Sequence, residues 1–404
     1  MSQSLTDIAK ELKKSNKKVQ LIYAFNGTGK TRLSREFRNL IVSEPINENG
    51  EEQTELARIK ILYYNAFTED LFYWDNNLEP TLKIQPNTFT DWILRDRGQD
   101  QNIKTNFQHY TNDKLNPNFI EQTKQITQNG RRVNLSTYPE VNFTYDDGAD
   151  RSKPVKISKG EESNFVWSIF FTLLEEVIGI LKELNTSKRD DDYFNELEYV
   201  FIDDPVSSLD DSHLIELAVD IAYLIKSNKT DLKFIITTHS PLFFNVLYNE
   251  FSNDFYHYKL DGTKKQTYKR GQSEKYRLEK NTDNTFQLHN SNDHPFSYHL
   301  FLLLELDKAI KAKDIKKYHF SFLRNILEKT STYLGYKRWE DLLKKTADGS
   351  PDPFASRIMN LSSHSAHAGE EISHIEEKDK EKLEDLVKYL VETYGFNKQE
   401  VQNG

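Results

Sequence analysis

The amino-acid sequence predicts an α/β protein of two domains, in which a largely parallel sheet with helices precedes a mostly helical carboxyl-terminal part. The chain of 404 residues is longer than one ordinary core requires. Apolar strand-like runs alternate with helix-like stretches up to His239, which is typical of βαβ units. Four short strand-like runs follow, and helical periodicity prevails from Ser297 onward. We therefore place the boundary near residue 265, which gives domains 1–265 and 266–404.

The first strand and the loop after it form the clearest motif. The apolar run VQLIYAF leads into the loop AFNGTGKT, residues 24–31, and then into a helix-like segment. Backbone amides and the helix N-terminus would hold phosphates there, with Lys30 at the terminal phosphates and Thr31 at Mg²⁺. Ala24 departs from the usual motif, which has glycine at this position, and a chance glycine-rich turn is the alternative. The predicted nucleotide-binding residues are Asn26, Gly27, Thr28, Gly29, Lys30, Thr31 and Arg32.

The middle of the first domain continues the alternation of strands and helices. A second strand is predicted at residues 59–67, and the polar stretch 91–130 is predicted to be helical, with residues 92–94 packed inward. The segment ISKGEES then leads into a strongly apolar helix, NFVWSIFFTLLEEVIGILKEL. Buried-strand runs follow at YVFID, residues 199–203, and at KFIITT, residues 233–238. These runs complete the pattern that predicts a parallel sheet.

Polar side chains follow the last two of these strands at their carboxyl ends, the edge where phosphate sites of parallel sheets lie. Asp203 would support Mg²⁺, directly or through water, and Asp204 would orient or deprotonate the attacking water. His239 would sense the terminal phosphate through a hydrogen bond. The plainer alternatives are an exposed turn carboxylate and a structural histidine. Together with the loop at 24–31, the three residues predict hydrolysis of a nucleoside triphosphate, with Thr31 and Asp203 at the metal.

Composition restricts the classes of function. Hydrophobic residues make up 37% and charged residues 29% of the chain, as in soluble globular proteins, and the lack of cysteine excludes disulfides and thiolate metal sites. The polar amino-terminal segment is unlike a signal peptide, and Glu175 and Glu176 interrupt the most apolar stretch, so we expect a cytoplasmic protein without a membrane span. The net charge of -9 argues against broad nucleic-acid coating, so any nucleic-acid site must be local.

The motifs of the first domain, taken in order, resemble those of the ABC ATPase class. AFNGTGKT corresponds to Walker A, ISKGEES to the signature, FIDDP to Walker B, the SSLD beginning at Ser207 to the D-loop and His239 to the switch histidine. The resemblance implies an ABC-type P-loop ATPase head with a helical subdomain, and heads that pair head to tail. A transporter is disfavoured without membrane spans, and a chromosome-tethering ATPase without a long coiled coil. The signature residues that would act across the pair are Ser158, Lys159, Gly160 and Glu161, of which Lys159 and Glu161 depart from the common motif.

The carboxyl-terminal domain contains residues suited to RNA cleavage without a metal. Arg324 and Glu328, four residues apart, would share one helix face, and His364 lies in SSHSAH. A base, an acid and an arginine suit internal transfer by the 2'-hydroxyl at an RNA phosphodiester. A surface ion pair and a polar loop histidine are the alternatives. The basic stretch 263–280, with its interleaved tyrosines, is either a surface for phosphates and unpaired bases or a solvated hairpin.

The whole chain resembles the PrrC anticodon nucleases. The resemblance rests on VQLIYAFNGTGKTRLSR, ILYYNAFTEDLFYWDN, ISKGEESNF, YVFIDDPVSSLDD, LKFIITTHSPLF, PFSYHL, LRNILEKTS and the SSHS around His364. It implies cleavage of lysine tRNA on the 5' side of the wobble nucleotide, leaving a 2',3'-cyclic phosphate and a 5'-hydroxyl. It also implies a nuclease site of Arg324, Glu328 and His364, in which we take Glu328 as general base and His364 as acid. Asp293 lies near the family's specificity region and is our candidate for tRNA binding.

The resemblance further implies how such an enzyme is controlled. Members of the family stay silent in a type Ic DNA restriction–modification complex and are released by a phage-encoded restriction inhibitor, with GTP hydrolysis driving activation and dTTP stabilising the active form. Mg²⁺ with GTP or ATP is the expected cofactor, no metal is expected in the nuclease site, and the implied role is antiphage defence. Two alternatives stay open. One is a DNA-associated repair ATPase whose carboxyl-terminal domain only binds a partner, and the other is a regulatory switch without nucleic-acid work.

Overall fold

The protein is described from a computed structural model, which divides the chain into two compact units, Met1–Pro295 and Phe296–Gly404. The structure describes residues 2–42, 59–65, 71–75, 80–128, 131–146, 153–205, 211–258, 262–281, 283–292, 298–345, 349, 352, 354, 358 and 375–396. The strands in these ranges are β1 (Val19–Tyr23), β2 (Ile61–Tyr64), β3 (Phe72–Asp75), β4 (Thr81–Ile84), β5 (Leu115–Gln128), β6 (Arg131–Tyr145), β7 (Tyr199–Asp203), β8 (Lys233–Thr238), β9 (Phe255–Tyr258), β10 (Lys264–Tyr268), β11 (Ser273–Lys280) and β12 (Phe286–Asn290). The α-helices are α1 (Leu5–Lys14), α2 (Lys30–Val42), α3 (Thr88–Asp91), α4 (Asp100–His109), α5 (Lys159–Leu181), α6 (Asp211–Ser227), α7 (Pro241–Phe251), α8 (Tyr298–Lys311), α9 (Lys317–Leu334) and α10 (Glu377–Tyr394).

The core of the first unit is a six-stranded sheet in the order β12, β11, β1, β8, β7, β2. Neighbouring strands are parallel, except that β12 runs antiparallel to β11. Every residue of β1 and β7 is buried, as expected for central strands of a parallel sheet. The predicted alternation of strands and helices is therefore confirmed. Because β1, β7 and β8 run in the same direction, the segments that follow them leave the sheet at one edge.

Helix α1 packs against α2, the helix that follows the glycine-containing loop. Its buried positions Leu5, Ile8 and Leu12 recur at helical spacing and join Leu33 and Phe37 of α2 in one apolar cluster. The N-terminus of α1 is fixed by a capping box, because the side chain of its preceding serine accepts a hydrogen bond from the third helical residue and that residue's carboxylate accepts one in return. Helix α1 thus supports α2, and through α2 it supports the glycine-containing loop that precedes this helix.

A four-stranded antiparallel sheet, in the order β3, β4, β6, β5, lies between β2 and α5 in the chain. The prediction of a helical stretch at 91–130 is correct only as far as His109, and residues 92–94 are buried as expected. The remainder is wrong, because β5 is a strand paired with β6. Residues 121–125 of β5 are all exposed, so no buried face marks the strand in the sequence. The predicted helical subdomain is therefore a mixed insertion of sheet and helix.

The short strands predicted beyond His239 are present as β9 to β12, but their place differs from the one expected. Strand β11 pairs with β1 in the centre of the large sheet, and β12 pairs with β11. The division between the units consequently falls after Pro295, whereas the sequence predicts it near residue 265. The sequence pattern changes near residue 265 because β9 and β10 form a separate two-stranded ribbon. The chain then returns to the large sheet as β11 and β12.

The second unit is helical in the part that the structure describes. Helices α8, α9 and α10 bury leucine and other apolar side chains in a common core that includes Leu306, Leu323 and Leu386. Two of these helices end at a glycine in the left-handed conformation, Gly335 after α9 and Gly395 after α10, as helix C-termini commonly do. The prediction of a mostly helical carboxyl-terminal part is confirmed.

Helix α5 alone among the described helices is long and apolar enough to cross a membrane by length and composition, but 83% of its most apolar window is buried inside the protein. Its side chains pack in the first unit, where the buried Trp167 makes an edge-to-face contact with Tyr64 of β2. Burial of this kind is typical of the core helix of a soluble protein.

Candidate functional site

Lys30, at the first position of α2, lies folded over the loop that precedes it. Its side chain is 7% exposed, and its ammonium donates to the carbonyl oxygen of Ala24 at 3.2 Å and to Oδ1 of Asn26 at 3.3 Å. The same ammonium lies 3.4 Å from a carboxylate oxygen of Asp204. The loop and the carboxyl end of β7 are therefore joined by one buried cation, which is the arrangement that a phosphate-binding lysine requires.

The loop backbone needs glycine at two places and not at a third. Gly27 has φ +78° and Gly29 has φ +105°, values that side-chain-bearing residues rarely adopt. Ala24 is different, because its backbone is outside the left-handed region and its N–H donates to the carbonyl of Thr238 at 3.0 Å, which extends the pairing of β1 with β8. Its methyl group is fully buried. The alanine is therefore compatible with the loop, and its departure from the usual motif is explained.

Asp203, the last residue of β7, is 2% exposed and faces the start of α2. Its Oδ1 accepts a hydrogen bond from Thr237 at 2.5 Å, and the hydroxyl of Thr31 also bonds to its carboxylate. Burial raises the pKa of Asp203 despite these hydrogen bonds, and the neighbouring carboxylate of Asp204 adds to the rise. A divalent cation beside it would offset this cost. The pairing of Asp203 with Thr31 is thus the donor set that Mg²⁺ takes at such loops.

Asp204 is joined to His239 and Lys30 in a close cluster. Nδ1 of His239 lies 2.7 and 2.6 Å from the two carboxylate oxygens of Asp204, and the backbone N–H of His239 donates to the same side chain at 3.1 Å. Burial alone would raise the pKa of Asp204, but the hydrogen bonds from His239 and the charge of Lys30 outweigh it and hold the pKa below its usual value. The carboxylate is therefore ionised at neutral pH, as a group that orients water requires. The prediction that Asp203, Asp204 and His239 meet at one edge is confirmed.

A polar network from β2 reaches the same site and was not predicted from the sequence. The hydroxyl of Tyr63 hydrogen-bonds to the Oγ of Ser34, which in turn donates to the carbonyl oxygen of Thr31 at 2.9 Å. Asn65, which is 3% exposed, donates to the Tyr63 hydroxyl at 2.9 Å. Burial raises the pKa of Tyr63, with the charge of Asp203 acting in the same direction. Residues 61–65, which the sequence predicts to be part of a strand, therefore also support the residues that would hold the metal.

The signature segment ISKGEES forms the N-terminus of α5. The hydroxyl of Ser158 accepts from the backbone N–H of Glu161 at 3.2 Å, and the Glu161 carboxylate accepts from the backbone N–H of Ser158 at 2.7 Å. This capping box explains why Glu161 is compatible with the segment. Lys159 makes an ion pair with Glu162 at 2.7 Å, and Ser158 and Lys159 are exposed while Gly160 is partly exposed. The predicted role across a pair of heads stays a prediction.

Arg324 and Glu328 lie on α9 in the second unit. Nε of Arg324 donates to Oε1 of Glu328 at 2.8 Å, as the four-residue spacing predicts. Their side chains are 31% and 45% exposed, so both groups are accessible to a substrate. The carboxylate of Glu340 also lies within electrostatic reach of Arg324. His364 and Asp293 lie outside the described residues, as does Ser207 of the predicted D-loop.

The basic stretch 263–280 does not expose its tyrosines, so the first of its two predicted alternatives, a surface on which bases stack, is not formed by these rings. Tyr268 is fully buried and donates to the carbonyl of Phe251 at 3.1 Å, and Tyr276 is 7% exposed within β11. Their rings belong to the first unit's interior and are closed to bases. The exposed tyrosines nearby are instead on β9, where Tyr256 and Tyr258 are 38% and 69% exposed. This difference is not visible in the sequence, because period-two alternation shows which side chains share a face of a strand but not which face is covered.

A family model and a known protein match this chain in sequence. A family model described as an AAA domain matches residues 150–391. The chain is 46% identical over 404 residues to a protein of Escherichia coli named anticodon nuclease, with 96% of this chain and 92% of that protein covered. A solved structure of an Smc head bound to the C-winged helix domain of ScpA is 10% identical, covers 69% of this chain and 90% of that one, and has a TM-score of 0.32.

Proposed function

The chain belongs to the anticodon nuclease family and carries an AAA-type ATPase domain, and from this premise we propose that it cleaves a tRNA in the anticodon loop under the control of its nucleotide site. The observation that carries the proposal is the identity of 46% across 96% of the chain, which includes both the nucleotide loop and the helix of Arg324 and Glu328. Identity confined to the ATPase part would not support a nuclease.

The proposed cleavage is an internal transfer that needs no metal. Glu328 takes the proton of a ribose 2'-hydroxyl, the 2'-oxygen attacks the adjacent phosphorus, and the bond to the 5'-oxygen breaks as His364 protonates it. The products are a 2',3'-cyclic phosphate and a 5'-hydroxyl. Arg324 steadies the charge on the phosphorane oxygens. The hydrogen bond of 2.8 Å between Arg324 and Glu328 supports this assignment, because it holds a cation beside the group that acts as base.

The proposed substrate is lysine tRNA, cut on the 5' side of the wobble nucleotide, with Asp293 among the residues that read the anticodon. The first unit hydrolyses GTP or ATP with Mg²⁺ held by Thr31 and Asp203, and dTTP is a stabilising ligand of the active form. Phosphates would lie on Lys30 and the loop amides between Asn26 and Arg32. What supports the nucleotide part is the buried cluster of Lys30, Asp203 and Asp204 at one edge of the sheet.

We also propose the partners that the family resemblance implies. Two nucleotide-binding units pair head to tail, so that Ser158 to Glu161 of one chain complete the nucleotide site of the other. A type Ic DNA restriction–modification complex holds the enzyme silent, and a phage restriction-inhibitor peptide releases it, as antiphage defence in the cytoplasm. The exposure of Ser158 and Lys159 at the N-terminus of α5 supports the pairing, because both side chains are open to contact from a second chain.

The test is cleavage of lysine tRNA by purified variants, with RNA ends mapped and phosphate release measured in parallel. We expect Arg324→Ala, Glu328→Gln and His364→Ala each to lower cleavage by about a hundredfold or more while nucleotide hydrolysis stays unchanged. The matched control is the exposed ion pair on α8, through Lys308→Ala and Glu305→Gln, which should leave both activities intact. Persistent cleavage in the three variants would overturn the nuclease site. Intact anticodon loops beside normal hydrolysis in the unaltered protein would indicate a DNA-associated ATPase instead.

A further inference from the structure

A cavity of about 450 Å³ opens at the edge of the large sheet opposite to the nucleotide loop. Lys18 immediately precedes β1, Lys233 begins β8 and Gln272 immediately precedes β11, and all three line the cavity. Because β11, β1 and β8 are adjacent and parallel, these residues mark the amino ends of the strands. The nucleotide loop follows the carboxyl end of β1. The cavity is therefore a separate site in the same unit.

The charge of the cavity is opposite to that of the protein. Lys18, Lys229, Lys233 and Lys265 line it, and Asp231 is the single carboxylate among the lining residues. The whole chain has a net charge of -9, so this concentration of cations is local and unlike the average surface. Clustered lysines repel one another, and the arrangement is stabilised most by a bound anion. We name this cavity the lysine pocket.

Two of the lysines hold the pocket in shape and two are free to bind. The Lys18 ammonium donates to the carbonyl oxygens of Asn228 and Thr230 at 2.6 and 3.4 Å, and Lys233 donates to a backbone carbonyl at 3.3 Å. Burial lowers the pKa of Lys18 to about 8, although the charge of Asp231 acts in the opposite direction. The side chains of Lys229 and Lys265 are exposed, and their ammonium groups form no hydrogen bond or ion pair with the described residues.

Polar atoms around the pocket also lack partners. The hydroxyl of Thr267, which lines the pocket, is buried and makes no hydrogen bond within the described residues. The side-chain nitrogen of Asn228, next to Lys229 in the chain, is likewise buried without an acceptor. Buried polar atoms in folded proteins are nearly always satisfied by protein, water or ligand. Because Asn228 is fully buried and both atoms have almost no exposed surface, an anion in the pocket would bind to the lysines and not to these two groups.

We infer that the lysine pocket binds a phosphate-bearing anion, independently of the nucleotide loop. Its volume lies in the range of pockets that hold small molecules, and lysine ammoniums recognise phosphate as point charges. The phosphate comes either from a free polyphosphate, such as that of a second nucleotide, or from the backbone of an RNA. In both cases Lys229 and Lys265 contact its oxygens, and Lys18 contributes charge from the floor. The inference stands whether or not the proposed nuclease assignment holds.

The experiment uses the full chain carrying Lys30→Ala, which removes phosphate binding at the nucleotide loop, and inorganic tripolyphosphate as the probe. Binding is measured by calorimetry, and protection of lysines from an amine-reactive reagent is measured by mass spectrometry. We expect tripolyphosphate to slow labelling of Lys229 and Lys265 at least fivefold, and the double variant Lys229→Gln/Lys265→Gln to weaken binding about tenfold or more. The matched control, Lys14→Gln/Lys124→Gln, changes two exposed lysines outside the pocket and should bind as before.

A second arm identifies the source of the phosphate by replacing the probe with unmodified tRNA at several salt concentrations. If the double variant weakens tRNA binding and reduces its salt dependence by roughly two counterions, the phosphate belongs to RNA. If tRNA binding is unchanged while tripolyphosphate binding is lost, the ligand is a small polyphosphate. Equal binding of both probes by the double variant and the matched control would overturn the inference, as would absence of protection by either probe.

Discussion

Asp204 has an uncommon backbone conformation. Its φ of +53° lies in the left-handed region, which an aspartate adopts only at a cost in free energy. The cost is offset by three groups that hold its side chain, namely the imidazole and backbone N–H of His239 and the ammonium of Lys30. Strain held in place by several partners is typical of sites where a side chain must point in one direction. The conformation thus supports the role of Asp204 in orienting water.

Asp204→Asn tests that role without disturbing the backbone, because asparagine tolerates the left-handed region well. We expect nucleotide hydrolysis to fall by about a hundredfold or more, since the amide cannot accept a proton from water, while nucleotide binding stays within a few-fold. Phosphate release at saturating nucleotide measures the first, and equilibrium binding of a fluorescent analogue the second. Asp113→Asn, an exposed change with the same chemistry, is the control. Hydrolysis at the original rate would exclude Asp204 from the reaction.

Single residues were predictable where a motif fixes both type and place. Lys30 follows from the glycine-containing loop after β1, and Asp203 and His239 follow because each lies at the carboxyl end of a strongly apolar strand. Tyr63 and Asn65 were not predictable in the same way. Tyrosine and asparagine have many ordinary positions at the end of a strand, and only the pairing of β2 with β7 brings them beside the metal-binding residues. Long-range strand order is the missing information.

At the scale of elements, the N-terminus of α5 has two features in one short segment, a capping box and an exposed serine. The capping box of Ser158 and Glu161 fixes the residue at which α5 begins. The first residues of the helix are partly exposed, whereas most of the remaining residues are buried. A defined first residue is important for an apolar helix of 23 residues, because a shift of one residue along the chain would turn different side chains toward the core. The same capped end presents Ser158 at the surface.

Ser158→Ala should therefore lower the free energy of unfolding by about 1 kcal/mol, the usual cost of losing an N-cap. Denaturant unfolding monitored by circular dichroism measures the change. The control is Ser187→Ala, an exposed serine that caps no long helix, and its midpoint should be unaltered. If Ser158 also acts across a pair of heads, hydrolysis will fall more than the loss of folded protein explains. An unchanged midpoint would contradict the capping role.

Elements were predictable where one face is buried and unpredictable where neither is. The strands β1, β7 and β8 and the helix α5 appear in the sequence as apolar runs. The outer part of the hairpin of β5 and β6 is solvated on both faces, so its stability comes from backbone pairing that leaves no apolar pattern. Strand β11 was recognised as a strand, but its parallel partner β1 lies about 250 residues earlier in the chain, a pairing that local sequence does not encode.

At the scale of the whole molecule, the two units should respond differently to nucleotide. A non-hydrolysable triphosphate analogue with Mg²⁺, at about a hundred times its dissociation constant, should stabilise the unit that binds it by roughly 2.7 kcal/mol. Hydrogen exchange of the full chain should then slow around the loop of residues 24–31 and in β1 and β7. Lys30→Ala should abolish the effect, and Lys308→Ala on α8 should not. Equal protection in the Lys30→Ala protein would place the nucleotide elsewhere.

The place of β11 also determines the order in which the chain matures on the ribosome. The large sheet cannot be completed until residue 290 has emerged, because β11 and β12 lie beyond β1 on one side of it. Residues 296–404 have not emerged at that moment, because the first of them fill the exit tunnel and the rest are still to be made at about 5 to 20 residues per second. A newborn chain therefore has time to fold its nucleotide-binding half before Arg324 and Glu328 exist as a helix. The unit that we propose to control cleavage would therefore fold before the unit that we propose to carry it out.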